Sequence, residues 1–263
     1  MWEEEIRVAL EAIKEAQKVL LDFHGQDLDV EYKSKDNPVT KADIKTDKYL
    51  RETITSEFPA DGWISEEYRN DPATLQQKQR VWVVDPIDGT QDFLDKTGDF
   101  SICVALLVDS RPAFGFIAKP VENKLYGAVH GAGATCNSKP IEVSHLKDLR
   151  NVSMAVSNFE KRRQLLESHL PDWMRKNVKK IGSTALRMAS VAEGTVDGFY
   201  CIWELGIWDI CAPSLIVEEA GGKVTDLSGS PINWKKLRHP SFLASNGHVH
   251  ASLLELLEPS KPS

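Results

Sequence analysis

The sequence predicts an α+β protein with helices layered on sheets, and three patterns carry that expectation. Apolar residues recur at helical spacing from Trp2 to Phe23. Four β-rich runs separated by Gly, Pro or Asn turns occupy residues 81–130, and helical and strand periods alternate after Asn151. A chain of 263 residues fits one large domain or two tightly joined ones, with lobes meeting near residues 140–150. At that length about 70–75% of the unfolded surface is buried on folding, so no disulfide or metal is needed merely to fold.

Ile6, Leu10, Ile13, Leu20 and Phe23 make one stripe of an amphipathic first helix, with Glu3–Glu5 favourably placed at its N-terminal dipole. A second helix starts near Thr40. There Thr40 and Asp43 have the spacing of a capping box with Asp in place of Glu, and Leu50, Ile54 and Phe58 follow on one face. Val81–Val84, Phe100–Val108, Ala113–Ala118 and Lys124–His130 read as successive strands. Beyond Asn151 come a strand at Val152–Val156 and helices at Glu160–Leu170 and Ala185–Ala192. A strand at Phe199–Trp203 follows, then a helix at Ile210–Ala220 ended by Gly221-Gly222. A short helix at Ala251–Leu257 precedes a tail with two prolines.

Composition excludes several classes. Hydrophobic residues at 41% and charged residues at 27% describe a globular rather than a disordered chain. Asp and Glu outnumber Lys and Arg 39 to 32, a net charge of −7, which argues against nucleic acid as the main partner, because phosphate backbones are held by surplus cations. No apolar run reaches the roughly 20 residues of a membrane span. Met1-Trp2-Glu3-Glu4-Glu5 is acidic where a signal peptide is basic, so the expected location is the cytoplasm. Cys103, Cys136, Cys201 and Cys211 show no CxxC and no zinc-ligand spacing, and read as small hydrophobes of a reduced protein. Trp63, Trp82, Trp203 and Trp208 read as core, and His248-Val-His250 as surface.

One segment concentrates chemistry: Trp82-Val-Val-Asp85-Pro-Ile-Asp88-Gly-Thr90. A β-branched strand delivers Asp85 to its end, Pro86 stops the ladder for want of an N–H, and Asp88-Gly89-Thr90 turns. Asp at i and i+3 around a turn can aim two carboxylates into one space and hold a hard divalent cation; a turn with a helix cap is the alternative. If a helix starts at Gly89-Thr90, its backbone N–H groups meet a phosphate oxygen. Glu66-Glu67 places like charges after an apolar strand, which a cation would offset. Asp209 sits in an apolar run at a helix start, as N-cap or as ligand, and Asp43 reads as first-turn helix charge. P-loop, HExxH, GxSxG and EF-hand patterns are absent, and Gly131-Ala-Gly133 lacks the third glycine of a dinucleotide loop.

Taken in order, Glu67, Asp85-Pro-Ile-Asp88-Gly-Thr90, Trp208-Asp209 and Glu218-Glu219-Ala220-Gly221-Gly222 resemble the inositol monophosphatase superfamily over about residues 30–250. The resemblance implies a layered αβαβα sandwich. An N-terminal α+β lobe over residues 1–145 would carry metal-binding motifs, and a C-terminal α/β lobe over 146–263 would add Asp209 and substrate contacts. It further implies a lithium-sensitive phosphatase of small phosphate monoesters that uses two or three Mg²⁺ ions per site. Glu67, Asp85, the Ile87 carbonyl and Asp88 match the first metal sites, and Asp209 shares a second metal with Asp85 and Asp88. Thr90 and Asp43 match the pair that, with Glu67, positions the attacking water, and Gly89 and Thr90 match a backbone phosphate cradle. Lys33 matches a lysine near the metals, and Ser157 and Glu204 fall at substrate-lobe positions. Relatives are often dimers, so a homodimer is implied.

Elementary chemistry agrees. A phosphate monoester dianion repels hydroxide, so hydrolysis needs charge neutralised on both the entering and the leaving oxygen. Two cations about 4 Å apart do both, one activating water and the other stabilising the alkoxide. Glu67, Asp85, Asp88 and Asp209 match the charge of two Mg²⁺, and oxygen-only ligands suit Mg²⁺ better than zinc. No side-chain nucleophile is required, in keeping with the absence of a Ser–His or Cys–His signature.

The resemblance divides over substrate. Gly98-Asp99-Phe100 is similar to the 3′-phosphoadenosine-5′-phosphate phosphatases, whereas Glu204 resembles the inositol-contacting acid, with about two residues fewer before Asp209 than in that pattern. Lys161-Arg162-Arg163 reads as a solvated helix face or a contact for a second phosphate. Inositol monophosphate or a similar polyol phosphate is expected first, 3′(2′),5′-bisphosphate nucleotidase activity second, and histidinol-phosphate phosphatase activity third. A non-catalytic regulatory relative stands as a different class, disfavoured by the full carboxylate set.

Overall fold

Helices α1 (Glu3–Phe23) and α2 (Lys41–Glu57) each bury one stripe: Val8, Ala12, Ile13, Ala16 and Leu20 on α1, where Ile6, Leu10 and Phe23 of the expected stripe are only half-buried, and Ala42, Leu50 and Ile54 on α2, with Phe58 half-buried. Thr40 caps α2 with both halves of the box. Its Oγ1 accepts from the Ala42 N–H at 3.1 Å, and its own N–H donates to Asp43 Oδ2 at 2.7 Å. A hairpin of β1 (Val30–Ser34) and β2 (Asn37–Thr40) joins the two helices. The structure, a computed structural model, describes residues 2–26, 30–34, 37–157 and 170–257, the side chains of Lys33, Ser34 and Asn37 excepted.

Both helices cover one face of a seven-stranded sheet. Its strands lie in chain order: β3 (Gly62–Ser65), β4 (Arg80–Asp88), β5 (Ser101–Val108), β6 (Arg111–Lys119), β7 (Lys124–Val129), β8 (Ala134–Cys136) and β9 (Lys139–Ile141). β3 and β4 are parallel, and every later neighbour is antiparallel. The one-turn α3 (Thr74–Gln77) lies in the crossover between β3 and β4, and α4 (Thr90–Leu94) starts where β4 ends.

Strand alternation sets the layers. Trp82, Val84, Ile102, Val104 and Phe114 join the apolar cluster under α1 and α2, while Val81, Val83, Cys103, Ala105 and Ile117 face the opposite way. After the one-turn α5 (Asp172–Arg175), that opposite face is covered by α6 (Thr184–Ala192) and α7 (Ile207–Glu219). Both are buried nearly all round because a second sheet closes over them. It runs β11 (Val178–Lys180), β10 (Met154–Val156), β12 (Gly198–Cys201), β16 (Phe242–Ser245) and β14 (Lys223–Thr225). Phe199, Cys201, Phe242 and Ala244 point at α6 and α7; Met154, Val156, Tyr200 and Leu243 point outward, under α8 (His250–Leu257). A two-residue ribbon of β13 (Leu205–Gly206) and β15 (Arg238–His239) braces the start of α7. The layers are αβαβα, as the resemblance implies, and each fully buried Phe or Leu within them contributes about 1.5–3 kcal/mol.

Local departures from expectation have physical causes. Pro86 does not end the strand: pairing with β5 breaks after Asp85 and resumes at Asp88 opposite Ser101, so the missing N–H produces a bulge. α7 starts at Ile207 rather than Ile210, because Gly206 serves as its N-cap and Asp209 falls in its first turn. The helix expected at Glu160–Leu170 and the Lys161-Arg162-Arg163 cluster lie outside the described residues, Leu170 excepted. Cys103, Cys201 and Cys211 are buried thiols and Cys136 is half-buried. Trp82 and Trp208 are buried, and Trp63 and Trp203 partly so. Among the described residues no helix is long and apolar enough to cross a membrane.

His248 is exposed, but His250 is buried, contrary to the surface expectation. Its Nε2 meets Thr225 Oγ1 at 2.9 Å and its Nδ1 meets Ser245 Oγ at 2.8 Å. Burial, helped by the charge of Lys223, pushes its pKa from 6.5 down to about 4. The fold thus holds it neutral, and its contribution to stability is complete above about pH 6.5 and lost as pH falls toward 4. His250→Gln is expected to flatten that part of the stability curve. Urea titrations between pH 7 and 4 check it, and an unchanged acid limb would rule it out.

Candidate active site

Parity along β3 and β4 decides which acids meet. In the parallel pair Ile64 lies beside Val83 and Ser65 beside Val84, and both Ile64 and Val83 belong to the face under α6 and α7. Two residues further on, Asp85 continues that face while Ser65 turns toward α2 and Asp47, and Glu66, first in the turn after β3 with its N–H on the Val84 carbonyl at 3.3 Å, is the leading charge acting on Asp85. At the mouth of the α6–α7 layer, one carboxylate oxygen from each of Asp85, Asp88 and Asp209 lies within 4.8 Å of the other two.

Each of the three is held by its own backbone neighbourhood. Asp209 Oδ2 accepts from the Gly206 N–H at 2.6 Å. Pro213, four residues on, has no N–H for the Asp209 carbonyl, so this bond and the β13–β15 ribbon steady the turn. Asp88 accepts from the start of α6: from Ala185 N–H at 2.6 Å, Thr184 N–H at 3.3 Å and the Ser183 hydroxyl, with Ser101 Oγ at 3.5 Å. Asp85 Oδ1 accepts from Ile87 N–H at 3.0 Å, whereas its Oδ2 is buried with no protein donor among the described residues.

Burial lifts all three carboxyls above the usual range. For Asp85 the charges of Glu66, Asp88, Asp209 and Glu67 add to burial, in that order. For Asp209 burial is followed by Glu66 and Asp88, opposed by the Gly206 N–H and the Arg238 charge. For Asp88, burial outweighs the Ser183, Ala185 and Thr184 bonds and the Arg187 charge. Buried acids so close repel one another unless positive charge offsets them. An orphaned oxygen and an all-oxygen donor set fit a hard divalent cation of the Mg²⁺ kind.

The acids have a second component. Thr90 Oγ1 lies 3.1 Å from Asp43 Oδ1 and 3.2 Å from the Ile87 carbonyl, and can donate its single hydrogen to either. Asp43 Oδ2 accepts from both the N–H and the Oγ1 of Thr40, at 2.7 and 2.6 Å. Burial raises the Asp43 pKa despite these bonds. Gly89 caps α4 at φ +96°, and a Cβ there would lie 2.9 Å from the Asp99 carbonyl oxygen, so only glycine makes this turn.

The remaining expected residues are placed differently. Of the adjacent glutamates, Glu66 is the stronger neighbour of the cluster, acting on Asp85, Asp209 and Asp43; on Asp85 the charge of Glu67 ranks behind that of Glu66, Asp88 and Asp209. The Glu67 N–H lies instead 3.4 Å from Ser65 Oγ. Ser157 is buried directly after β10. Glu204 is exposed, 3.9 Å from Arg238, whose guanidinium lies 4.7 Å over the Trp208 ring. Lys33 lies in β1, and its side chain is outside the described residues. Sequence reasoning passed over Ser183, Ser101 and Arg238. Ser183-Thr184 ahead of an apolar helix was a readable cap; the other two contacts arise only from the fold.

Comparison with known proteins agrees with this architecture. The family model described as the inositol monophosphatase family matches residues 1–261. An inositol monophosphatase of Dictyostelium discoideum is 28% identical over 260 residues, covering 96% of this chain and 94% of that one. The 3′(2′),5′-bisphosphate nucleotidase CysQ of Aggregatibacter actinomycetemcomitans is 32% identical over 248 residues, with 90% and 89% covered. Among solved structures, the extragenic suppressor protein suhB from Bartonella henselae superposes with a TM-score of 0.86 at 28% identity, over 98% of this chain and all of that one. The chain belongs to the inositol monophosphatase family of phosphatases.

Proposed function

We propose that this protein is a Mg²⁺-dependent phosphatase that hydrolyses a small phosphate monoester by direct attack of water, with inositol monophosphate or a similar polyol phosphate as its first substrate. The observation that carries it is the Asp85–Asp88–Asp209 cluster, its first two members buried and Asp209 half-buried, with its orphaned Asp85 oxygen, beside the Thr90–Asp43 pair. Asp85, Asp88, Asp209 and the Ile87 carbonyl would hold the ions. Glu66 joins them in this proposal rather than Glu67, since its charge is the leading one acting on Asp85. When bound, divalent ions supply charge neutralisation on the phosphate and a lowered pKa for water.

This chain's own groups do the rest. Thr90, donating to Asp43, leaves its Oγ1 lone pairs free to accept from a water and hold it for in-line attack. The raised Asp43 carboxylate favours taking up the proton thus passed along. The N-terminal turn of α4 at Gly89 and Thr90 offers N–H groups to a phosphoryl oxygen. Glu204, beside Arg238 at the exposed side, is the proposed contact to substrate hydroxyls.

The 3′(2′),5′-bisphosphate nucleotidase reading is the alternative, favoured by the likeness to CysQ. Phosphate release with Mg²⁺, measured side by side on inositol 1-phosphate and 3′-phosphoadenosine 5′-phosphate, tests both. A tenfold preference in kcat/KM, about 1.4 kcal/mol of transition-state discrimination, assigns the substrate class. No release from either would overturn the phosphatase proposal.

A further inference from the structure

Helix α2 presents two buried carboxylates one turn apart, and only the first belongs to the machinery proposed above. Asp43 reaches forward to Thr90, at the end of β4. Asp47, four residues on, lies on the same side of the helix, is 5% exposed, and accepts from the Ser65 hydroxyl at the end of β3. Ser65 immediately precedes Glu66-Glu67, and every polar group it has is occupied. Its N–H donates to Asn70 Oδ1 at 3.0 Å, its carbonyl accepts from Asn70 Nδ2 at 2.7 Å, and its Oγ also meets the Glu67 N–H at 3.4 Å. Glu66 N–H continues the ladder to the Val84 carbonyl at 3.3 Å. Arg51, one further turn along α2, carries the positive charge that acts on Asp47 and lies 4.8 Å over the Tyr68 ring, closing the turn from outside.

We propose that Asp47 is a positioning residue for the metal site: through Ser65 it fixes the turn that aims Glu66 at Asp85. One helix would thereby set the spacing of both acidic strand ends, Asp43 registering β4 and Asp47 registering β3. The inference rests on the proposed metal site and adds a residue that touches neither metal nor substrate. Because Asp47 acts through Ser65, its effect falls on the affinity of the site for cations rather than on the chemical step.

A double-mutant cycle tests this on the full chain, with Mn²⁺ alone as the probe. Its binding to metal-free protein is followed by isothermal titration, and the Mg²⁺ requirement by phosphate release. Asp47→Ala and Ser65→Ala are each expected to weaken Mn²⁺ binding about tenfold. The double variant should be no weaker than either single one, since both remove the same contact. Turnover at saturating Mg²⁺ should stay within about threefold of the unaltered protein, and Asp47→Asn, which keeps an acceptor for the Ser65 hydroxyl, should recover most of the affinity. Unaltered Mn²⁺ affinity in Ser65→Ala, the milder change, would overturn the proposal, as would losses that multiply to about a hundredfold in the double variant. Lowered melting temperatures with unchanged Mn²⁺ affinity would reduce the contact to packing. Failure of the unaltered protein to bind Mn²⁺ would instead overturn the metal site itself, and the positioning role with it.

Discussion

Asp209→Asn is expected to abolish turnover while making the metal-free protein more stable. The amide keeps an oxygen for the Gly206 N–H, so the first turn of α7 is undisturbed. What disappears is one carboxylate from a group of three, which removes a proposed cation ligand and should lower kcat/KM by about 10³-fold or more. The stability effect has the opposite sign. Burial and the charges of Glu66 and Asp88 hold the Asp209 carboxyl above its ordinary range. A group raised in the fold stabilises it most below the unfolded pKa, near 4, and that stabilisation is lost as pH rises through the raised value. At pH 7.5, far above the ordinary carboxyl range, holding this carboxyl in the cluster is therefore a cost, and a neutral isostere relieves it. A gain of about 1 kcal/mol corresponds to roughly 2–4 °C in Tm for a chain of this size. Melts in EDTA and in Mg²⁺ check both halves: the variant should melt higher without metal and gain less from Mg²⁺. A lower metal-free Tm would show that repulsion is not dominant, and surviving turnover would remove Asp209 from the ligand set.

Thr90→Val separates water positioning from metal binding. Valine matches threonine in shape but cannot bridge Asp43 and water, so kcat should fall by about 10²–10⁴-fold. The Mg²⁺ concentration for half-maximal rate should move little, because the carboxylates and the Ile87 carbonyl remain. Asp43 Oδ1 loses its donor, at a stability cost of about 1–3 kcal/mol, while Thr40 continues to hold Oδ2. Initial-rate measurements across Mg²⁺ concentrations decide the matter. A kcat within tenfold of the unaltered protein, or a large rise in the Mg²⁺ requirement, would reassign Thr90 to structure.

Much of this was readable before the fold was known. The D-P-I-D-G-T block carried Asp85, Asp88 and the Gly89 turn, because strand, bulge and cap chemistry are local. The helix boundary at Thr40 was equally local, set by a side-chain oxygen that accepts from the next turn, whereas Ser183, which caps α6 in the same way, was passed over in favour of a start at Ala185. What sequence reasoning blurred was direction. Choosing between Glu66 and Glu67 needs the pairing of β3 with β4 and the turn after β3, where the Glu66 N–H meets the Val84 carbonyl. His250 looked superficial because its partners, Thr225 and Ser245, come from two different strands. The Asp88–Ala185 bond and the Arg238 charge on Asp209 likewise belong to tertiary structure alone.

The helix layer shared by both sheets also bears on when the protein becomes competent during synthesis. Asp88 takes N–H donors from Thr184 and Ala185, the latter 97 residues away, and the third acid of the cluster, Asp209, comes later still. Closing loops of that length has an entropic cost that only the docking of α6 and α7 between two sheets recovers. A chain still emerging from the ribosome could pair its first sheet with the D-P-I-D-G-T segment in place, yet would lack the third carboxylate and the donors that orient the second. On the proposed reading, hydrolytic competence therefore waits for the α6–α7 layer to dock, and a product truncated before Asp209 would carry the D-P-I-D-G-T segment without the complete site.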